Sequence, residues 1–236
     1  MPRKSRRRPR LPRRHQGRSP GVVTGSPARS AETHGQKRRA IVFTVSLLLL
    51  SVYLPLAGMI YTESWYRLHC DWYDRCLVLG ELAERSIANL TNFFLHREAL
   101  HGRWSHKESL HLAEVRGIYD VLAGIAVLAA LGLAYGYRGA RLRRASLINI
   151  AVIVSLLLLL PAFGYFWRHV FHELMFSNEL WRTDRNDITW YITPRVMFRN
   201  AIVALVIGGA AVNLAVLAVD TRLRKRKSTR PKITKR

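Results

Sequence analysis

Only two cysteines occur in the 236 residues, too few for a disulfide scaffold. Acidic residues are also scarce, 15 against 38 Lys and Arg, which leaves a formal net charge of +23. No Gly-x-Ser-x-Gly nucleophile elbow is present, so a Ser-His-Asp hydrolase has little support. The absence of His-Glu-x-x-His likewise leaves a catalytic zinc site weakly supported. Charge is nearly missing from four long apolar blocks, which disfavours a transport pathway through them. The excess of Lys and Arg lies at the borders of those blocks. Residues 1–40 hold thirteen, residues 138–144 four and residues 220–236 nine. Basic charge placed this way, without a reading motif, implies no nucleic-acid partner.

What is present is apolar sequence in blocks. Hydrophobic residues make up 49% of the chain and gather at about 40–60, 121–137, 145–166 and 201–219. About 20 helical residues cross a hydrocarbon core of ~30 Å. Lipid leaves an open backbone unsatisfied, so each block is expected to be a helix. The fold class is therefore all-α: a polytopic membrane protein with four transmembrane helices. Residues 1–39 are expected to form a disordered basic tail, 40–220 the four-helix membrane domain, and 221–236 a second basic tail. The first block is longer than a secretory h-region, and no small-x-small cleavage pattern follows it, so it reads as an uncleaved anchor.

The basic borders orient the chain. Both tails and Arg138–Arg144 fall on one side of a four-span arrangement, which the positive-inside rule makes cytoplasmic. Segments 61–120 and 167–200 then face outward across a plasma membrane. Cys70 and Cys76 lie in the first of these and are expected to be free thiols, with a local disulfide as the alternative. Gly132 and Gly136, and the cluster Gly208, Gly209, Ala210 and Ala211, are expected where helices approach closely. Asn213 is expected to bond between helices, and Pro161 to bend the third span.

The first outer segment carries a further helical pattern. Leu79, Leu82, Ala83, Ile87, Leu90 and Phe94 recur at helical spacing, with Glu81, Glu84, Arg85 and Asn89 around the other faces. This predicts an interfacial amphipathic helix, or else a helix packed on the spans for stability.

Seven of nine histidines lie in the two outer segments: His69, His96, His101, His106, His111, His169 and His172. Two settings stand out. In Glu108-Ser-Leu-His111-Leu-Ala-Glu114-Val-Arg116, each glutamate lies three residues from His111, so either is placed to hold one ring nitrogen while the other serves as a base. In Arg168-His169-Val-Phe171-His172-Glu173, His169 and His172 share a helical face, and a metal shared with Glu108 or His111 is conceivable.

These residues carry a resemblance. The stretch Phe171-His172-x3-Phe176-x4-Trp181-x2-Asp184-x2-Asp187-x6-Pro194-x3-Phe198, with Glu108-x2-His111-Leu-x-Glu114-Val-Arg116, resembles the motifs of the bacterial four-span family that includes the lipoprotein intramolecular transacylase. The similarity covers roughly 40–220. Glu114 stands for the usual Asp, Met175 for an aromatic residue and Arg185 for a common proline. The resemblance implies a substrate: a diacylated lipoprotein whose N-terminal cysteine carries a diacylglyceryl thioether. It implies movement of one acyl chain from the glyceryl group to the cysteine α-amine, giving lyso-form lipoprotein. No cofactor is implied, and membrane lipids are the other partner. The two catalytic histidines map to His111 and His172. His111, oriented by Glu108 or Glu114, is read as base and His172 as the group polarising the ester, with reversed roles open. Arg116 belongs to the first motif. Trp181, Asp184, Asp187 and Pro194 are expected to shape the second segment, with the two aspartates paired to Arg182, Arg185 or Arg195. Another lipid acyl-transfer or ester-hydrolysing enzyme, or a non-enzymatic assembly protein, are the alternatives.

Overall fold

The computed structural model describes residues 27–228. Four long helices carry the apolar blocks: α1 (Pro27–Ile60), α4 (His106–Gly136), α5 (Leu142–Ser155) and α7 (Arg195–Ser228). All four are long and apolar enough to cross a membrane, the third when its continuation to Leu159 is included. Between α1 and α4 lie α2 (Glu63–Trp72) and α3 (Glu81–Phe94). Before α7 comes the short α6 (Ile188–Ile192).

Helix α1 starts before its apolar block. Residues 27–39, expected to be disordered, are helical, and the helix opens on a proline, whose fixed φ suits a first turn. The remainder of the expected N-terminal tail, and residues 229–236 of the C-terminal one, lie outside the described residues. Helix α4 has 31 residues. At 1.5 Å per residue it is about half as long again as the hydrocarbon core. Its first four turns hold Lys107, Glu108, His111, Glu114, Arg116 and Asp120, so the lipid-crossing stretch is the apolar 121–136 and the first turns stand clear of it.

Close approach follows small residues. A Cβ on Gly136 would lie 2.7 Å from the Arg39 carbonyl and 2.8 Å from Phe43 Cβ, so α4 meets the α1 backbone there. A Cβ on Gly209 would lie 2.9 Å from the Ser51 carbonyl, which fixes the α7 approach to α1. Asn213 donates to Ser51 Oγ at 2.9 Å, the expected interhelical bond. Asn149, a second amide within a span, is also buried and donates to the Thr44 carbonyl at 3.2 Å. Large apolar side chains such as Ile41, Val121, Leu128, Leu131 and Ile207 are exposed on the outside of the bundle, as lipid contact requires. Gly136→Leu should therefore destabilise the bundle by about 1–3 kcal/mol through overpacking against backbone that cannot yield. Thermal unfolding in detergent measures this, and an unchanged midpoint would contradict the α1–α4 seam.

A second core lies beyond the spans. Tyr66, Ile87, Leu90, Phe93, Phe94, Leu112, Ile188 and Ile192 form one buried cluster contributed by α2, α3, the start of α4 and α6. Helix α3 is thus packed into this layer through the predicted apolar face. Asn89 departs from its expected place on the polar side, being 3% exposed. It organises the chain leading to α4: its Oδ1 accepts from His101 N at 3.1 Å and Trp104 Nε1 at 2.9 Å, while Nδ2 donates to the Ala99 carbonyl at 3.0 Å. Cys70 and Cys76 are joined in a disulfide between the end of α2 and the turn at Asp74–Val78, contrary to the free thiols expected. The six-residue spacing brings their Cα atoms to 5.2 Å, within bridging range.

Candidate active site

Helix α4 begins with a capping box. Ser105 Oγ accepts from Glu108 N at 3.2 Å, and Glu108 Oε2 accepts from Ser105 N at 2.9 Å. The other oxygen of Glu108 reaches across 81 residues, accepting from Thr189 N and Thr189 Oγ1, each at 2.8 Å. The expected contact of Glu108 with His111 is therefore absent. Its carboxylate is 2% exposed and fully engaged in fastening the two segments together.

The neighbouring acids do the same work. Lys107, beside the box, reaches Asp187 at 2.7 Å and Asp184 at 3.5 Å. Asp187 also accepts from Ser105 Oγ at 3.1 Å and from Asp184 N at 2.9 Å. The two aspartates thus pair with a lysine from the other segment, not with Arg182, Arg185 or Arg195 as expected. Ion pairing with Lys107, together with the Asn186 N–H on its carboxylate, holds Asp184 below its ordinary pKa, the backbone bond contributing most. Arg116 points back into the layer, over the Phe93 ring at 4.0 Å and towards its carbonyl.

One helical turn beyond Glu108 stands His111. Glu114 Oε2 lies 3.7 Å from its Nδ1, an ion-pair distance but too long for a hydrogen bond. The other oxygen of Glu114 accepts from Asn178 Nδ2 at 2.7 Å. His111 Nδ1 is buried with no hydrogen-bond partner. Burial, followed by the charge of the nearby His172, lowers the His111 pKa to about 4 against a smaller opposing effect of Glu114.

His172 arrives by an irregular route. The α-helix of the third span ends at Ser155, passes through a 3₁₀ turn at Leu156–Leu159 and reaches Pro161, which lacks an N–H. A π-helical turn follows at Phe166–Phe171, then a single α turn at His172–Met175. The His172 ring folds back on the π turn, and its Nδ1 bonds to the Trp167 carbonyl five residues earlier. A carbonyl can only accept, so Nδ1 carries the proton and Nε2 of the neutral ring is bare. Burial lowers the His172 pKa, partly opposed by this bond.

Aromatic rings enclose His172. Trp181 lies 4.3 Å away between centroids, Trp167 4.6 Å and Phe171 5.3 Å, with Phe198 stacked on Trp167 at 4.4 Å. The Phe176 ring joins the two histidines, 4.8 Å from His111 and 5.7 Å from His172. The imidazole centroids are thus no further apart than the sum of those two distances. Trp167 was not singled out as a site residue from the sequence, nor was the bridging role of Phe176. For Phe176 the signal lay in the aromatic spacing of the second motif, which begins after Trp167. His169 turns away, is exposed and pairs with Glu173 at 3.5 Å, so it does not share a metal site with His172. Among the described residues, no three His, Cys, Asp or Glu side chains group as metal ligands.

The description "lipoprotein intramolecular transacylase Lit" belongs to the family whose sequence pattern matches residues 41–198. Curated protein sequences give no match. Among solved structures, the chain resembles the membrane integral lipoprotein intramolecular transacylase Lit from Bacillus cereus, with a TM-score of 0.74 at 18% identity. The match covers 84% of this chain and 100% of that one. Two further structures of that protein, each with one histidine replaced, match with the same TM-score at 17% identity. They cover 85% and 86% of this chain and 97% and 100% of their own. At such identity the shared property is the fold.

Proposed function

Because the chain belongs to the lipoprotein intramolecular transacylase family, we propose that this acyltransferase moves one fatty acyl chain from the glyceryl group of a diacylated lipoprotein to the α-amine of its N-terminal cysteine, using His172 and His111. The observation that carries the reading is the meeting of a buried histidine, His172, and a partly buried one, His111, from segments 61 residues apart, on one Phe176 ring.

Attacking amine and ester belong to the same substrate, so positioning alone supplies a high effective molarity. No enzyme nucleophile is needed. His172 is the better base, because the Trp167 carbonyl favours the tautomer with Nε2 unprotonated. Nε2 takes a proton from the amine as its nitrogen attacks the ester carbonyl carbon. His111 donates a hydrogen bond through a ring N–H to the carbonyl oxygen as that oxygen becomes an oxyanion. Collapse breaks the bond to the glyceryl oxygen, and His172 returns the proton there. The products are an amide on the cysteine and a free glyceryl hydroxyl. Glu114, held by Asn178, steadies the His111 side. Glu108, Lys107, Asp184 and Asp187 act through position by fastening the two segments.

We assign segments 61–120 and 167–200 to the outer face and both termini to the cytoplasm. The basic borders support this, as does a disulfide at Cys70–Cys76, which persists in an oxidising compartment. Mass spectrometry of lipoprotein N-termini, after incubating a diacylated lipoprotein with the purified protein, tests the reaction. The expected product has unchanged mass with one acyl chain relocated to the amine. Loss of a fatty acid with the amine left free would show an ester hydrolase instead.

A further inference from the structure

Beside the Trp167 and Trp181 walls of His172 lies a cavity of about 930 Å³ whose lining includes Leu160, Phe163 and Val196 as well as Trp190. Five arginines border it, and two of these have partners. Arg75 donates to the Trp190 carbonyl at 3.3 Å, and Arg182 pairs with Glu179 at 2.9 Å. Arg168, Arg195 and Arg199 also border it. Among the described residues these three have no hydrogen-bonding or ion-pair partner. Glu173, the one carboxylate of the lining, faces His169 at 3.5 Å.

The arrangement is unfavourable in three ways when the cavity holds no anion. Arg195 and Arg199 are four residues apart on one helix face, where like charges repel. Both stand in the opening turns of α7, whose dipole favours negative charge, and no acidic residue occurs in its first turn. Arg168 adds a third cation from a different segment, the π turn before His172. One anion relieves all three. Leu160 and Phe163, at the end of the third span, contribute to the apolar part of the lining with Val196, so the ligand pairs a negative head with hydrocarbon.

We propose that Arg168, Arg195 and Arg199 bind the phosphate of an anionic phospholipid headgroup, with its glycerol and upper acyl chains against Leu160, Phe163 and Val196. The bound lipid is a resident ligand and is not consumed. This site stands apart from the acyl-transfer reading, since its test is a binding measurement that needs no turnover.

The full chain is reconstituted in phosphatidylcholine nanodiscs carrying a minor fraction of fluorescent phosphatidylglycerol or, in a parallel sample, of phosphatidylcholine with the same label, and retention of each labelled lipid is read by energy transfer from the protein's tryptophans. The expected result is a preference for phosphatidylglycerol of about tenfold, as several cations near one headgroup give. Arg195→Gln with Arg199→Gln should reduce it to near parity. Equal retention of both lipids by the native protein would overturn the proposal without any variant. Displacement of phosphatidylglycerol by millimolar inorganic phosphate would also overturn it, by pointing to a site for free phosphate. If the variants leave lipid preference intact but raise KM only for lipoproteins with acidic residues after the cysteine, the site belongs to the substrate peptide and the lipid assignment fails. Should the double variant misfold, the single Arg168→Gln substitution in the π turn gives the same reading.

Discussion

His172→Asn should lower kcat for N-acyl transfer by about 10²–10⁴, the range ascribed to a positioned general base. Asparagine keeps a donor for the Trp167 carbonyl and fills much of the ring's place, but it offers no titrating lone pair. The membrane fold should therefore melt close to the native temperature while turnover is lost. A pH profile separates loss of the base from loss of shape. Burial holds the His172 pKa below its ordinary value, so the ring stays neutral at pH 7 and becomes protonated only as pH falls through that lowered pKa. Base activity is thus present above the lowered pKa and lost below it. The native kcat should stay flat through pH 6.5, where an ordinary histidine titrates, and fall only on an acid limb below that pH. The residual rate of the asparagine variant should lack that limb. His111→Ala removes a hydrogen-bond donor and should cost about 10²–10³, with the double variant losing less than the product of the two because the groups act as a unit. Native turnover by His172→Asn would end the mechanism.

The spans were legible because lipid imposes a simple demand. Long apolar blocks bounded by arginine can satisfy their backbones only as helices, and three of the blocks became unbroken ones, while the block at 145–166 is α-helical only to Ser155 and turns 3₁₀ before Pro161. Gly136 and Asn213 were equally readable, since a membrane interior gives small residues and amides few other uses. The two histidines stood out through motif spacing, and the structure brings both to Phe176. What the sequence concealed was partner choice across long separations. Helical spacing offered Glu108 to His111, yet the capping box turned its carboxylate towards Thr189, 81 residues away. Asp184 and Asp187 had three arginines close in sequence, yet Lys107 reached both. Asn89 looked like a surface residue because nothing in its own helix shows that the 99–104 chain needs an acceptor and a donor there. The π turn that places the Trp167 carbonyl against the His172 ring had no sequence signal beyond the preceding proline.

Glu108→Ala should be the most damaging substitution outside the histidines, although its carboxylate has no bond to either of them. The change strips acceptors from Thr189 N, Thr189 Oγ1 and Ser105 N in a site where the glutamate is 2% exposed. Each buried donor left unsatisfied costs about 1–3 kcal/mol, so the sum is a large part of a typical total stability of about 5–15 kcal/mol. The spans are joined by separate contacts through Gly136, Gly209 and Asn213 and should survive. The expected failure is local: the 176–194 segment loosens from α4, and the Phe176 bridge between the histidines is lost with it. Activity should drop by more than about 10², because misplacement by an ångström is enough to do so. Hydrogen exchange in nanodiscs should show lost protection across α6 and the Ser105 cap, with α1, α5 and α7 unchanged. Glu108→Gln should fall between, since its amide still accepts from Thr189 but presents N–H to Ser105 N. Protection unchanged at α6 alongside lost activity would mean that Glu108 acts on the chemistry directly, and the fastening role would fail.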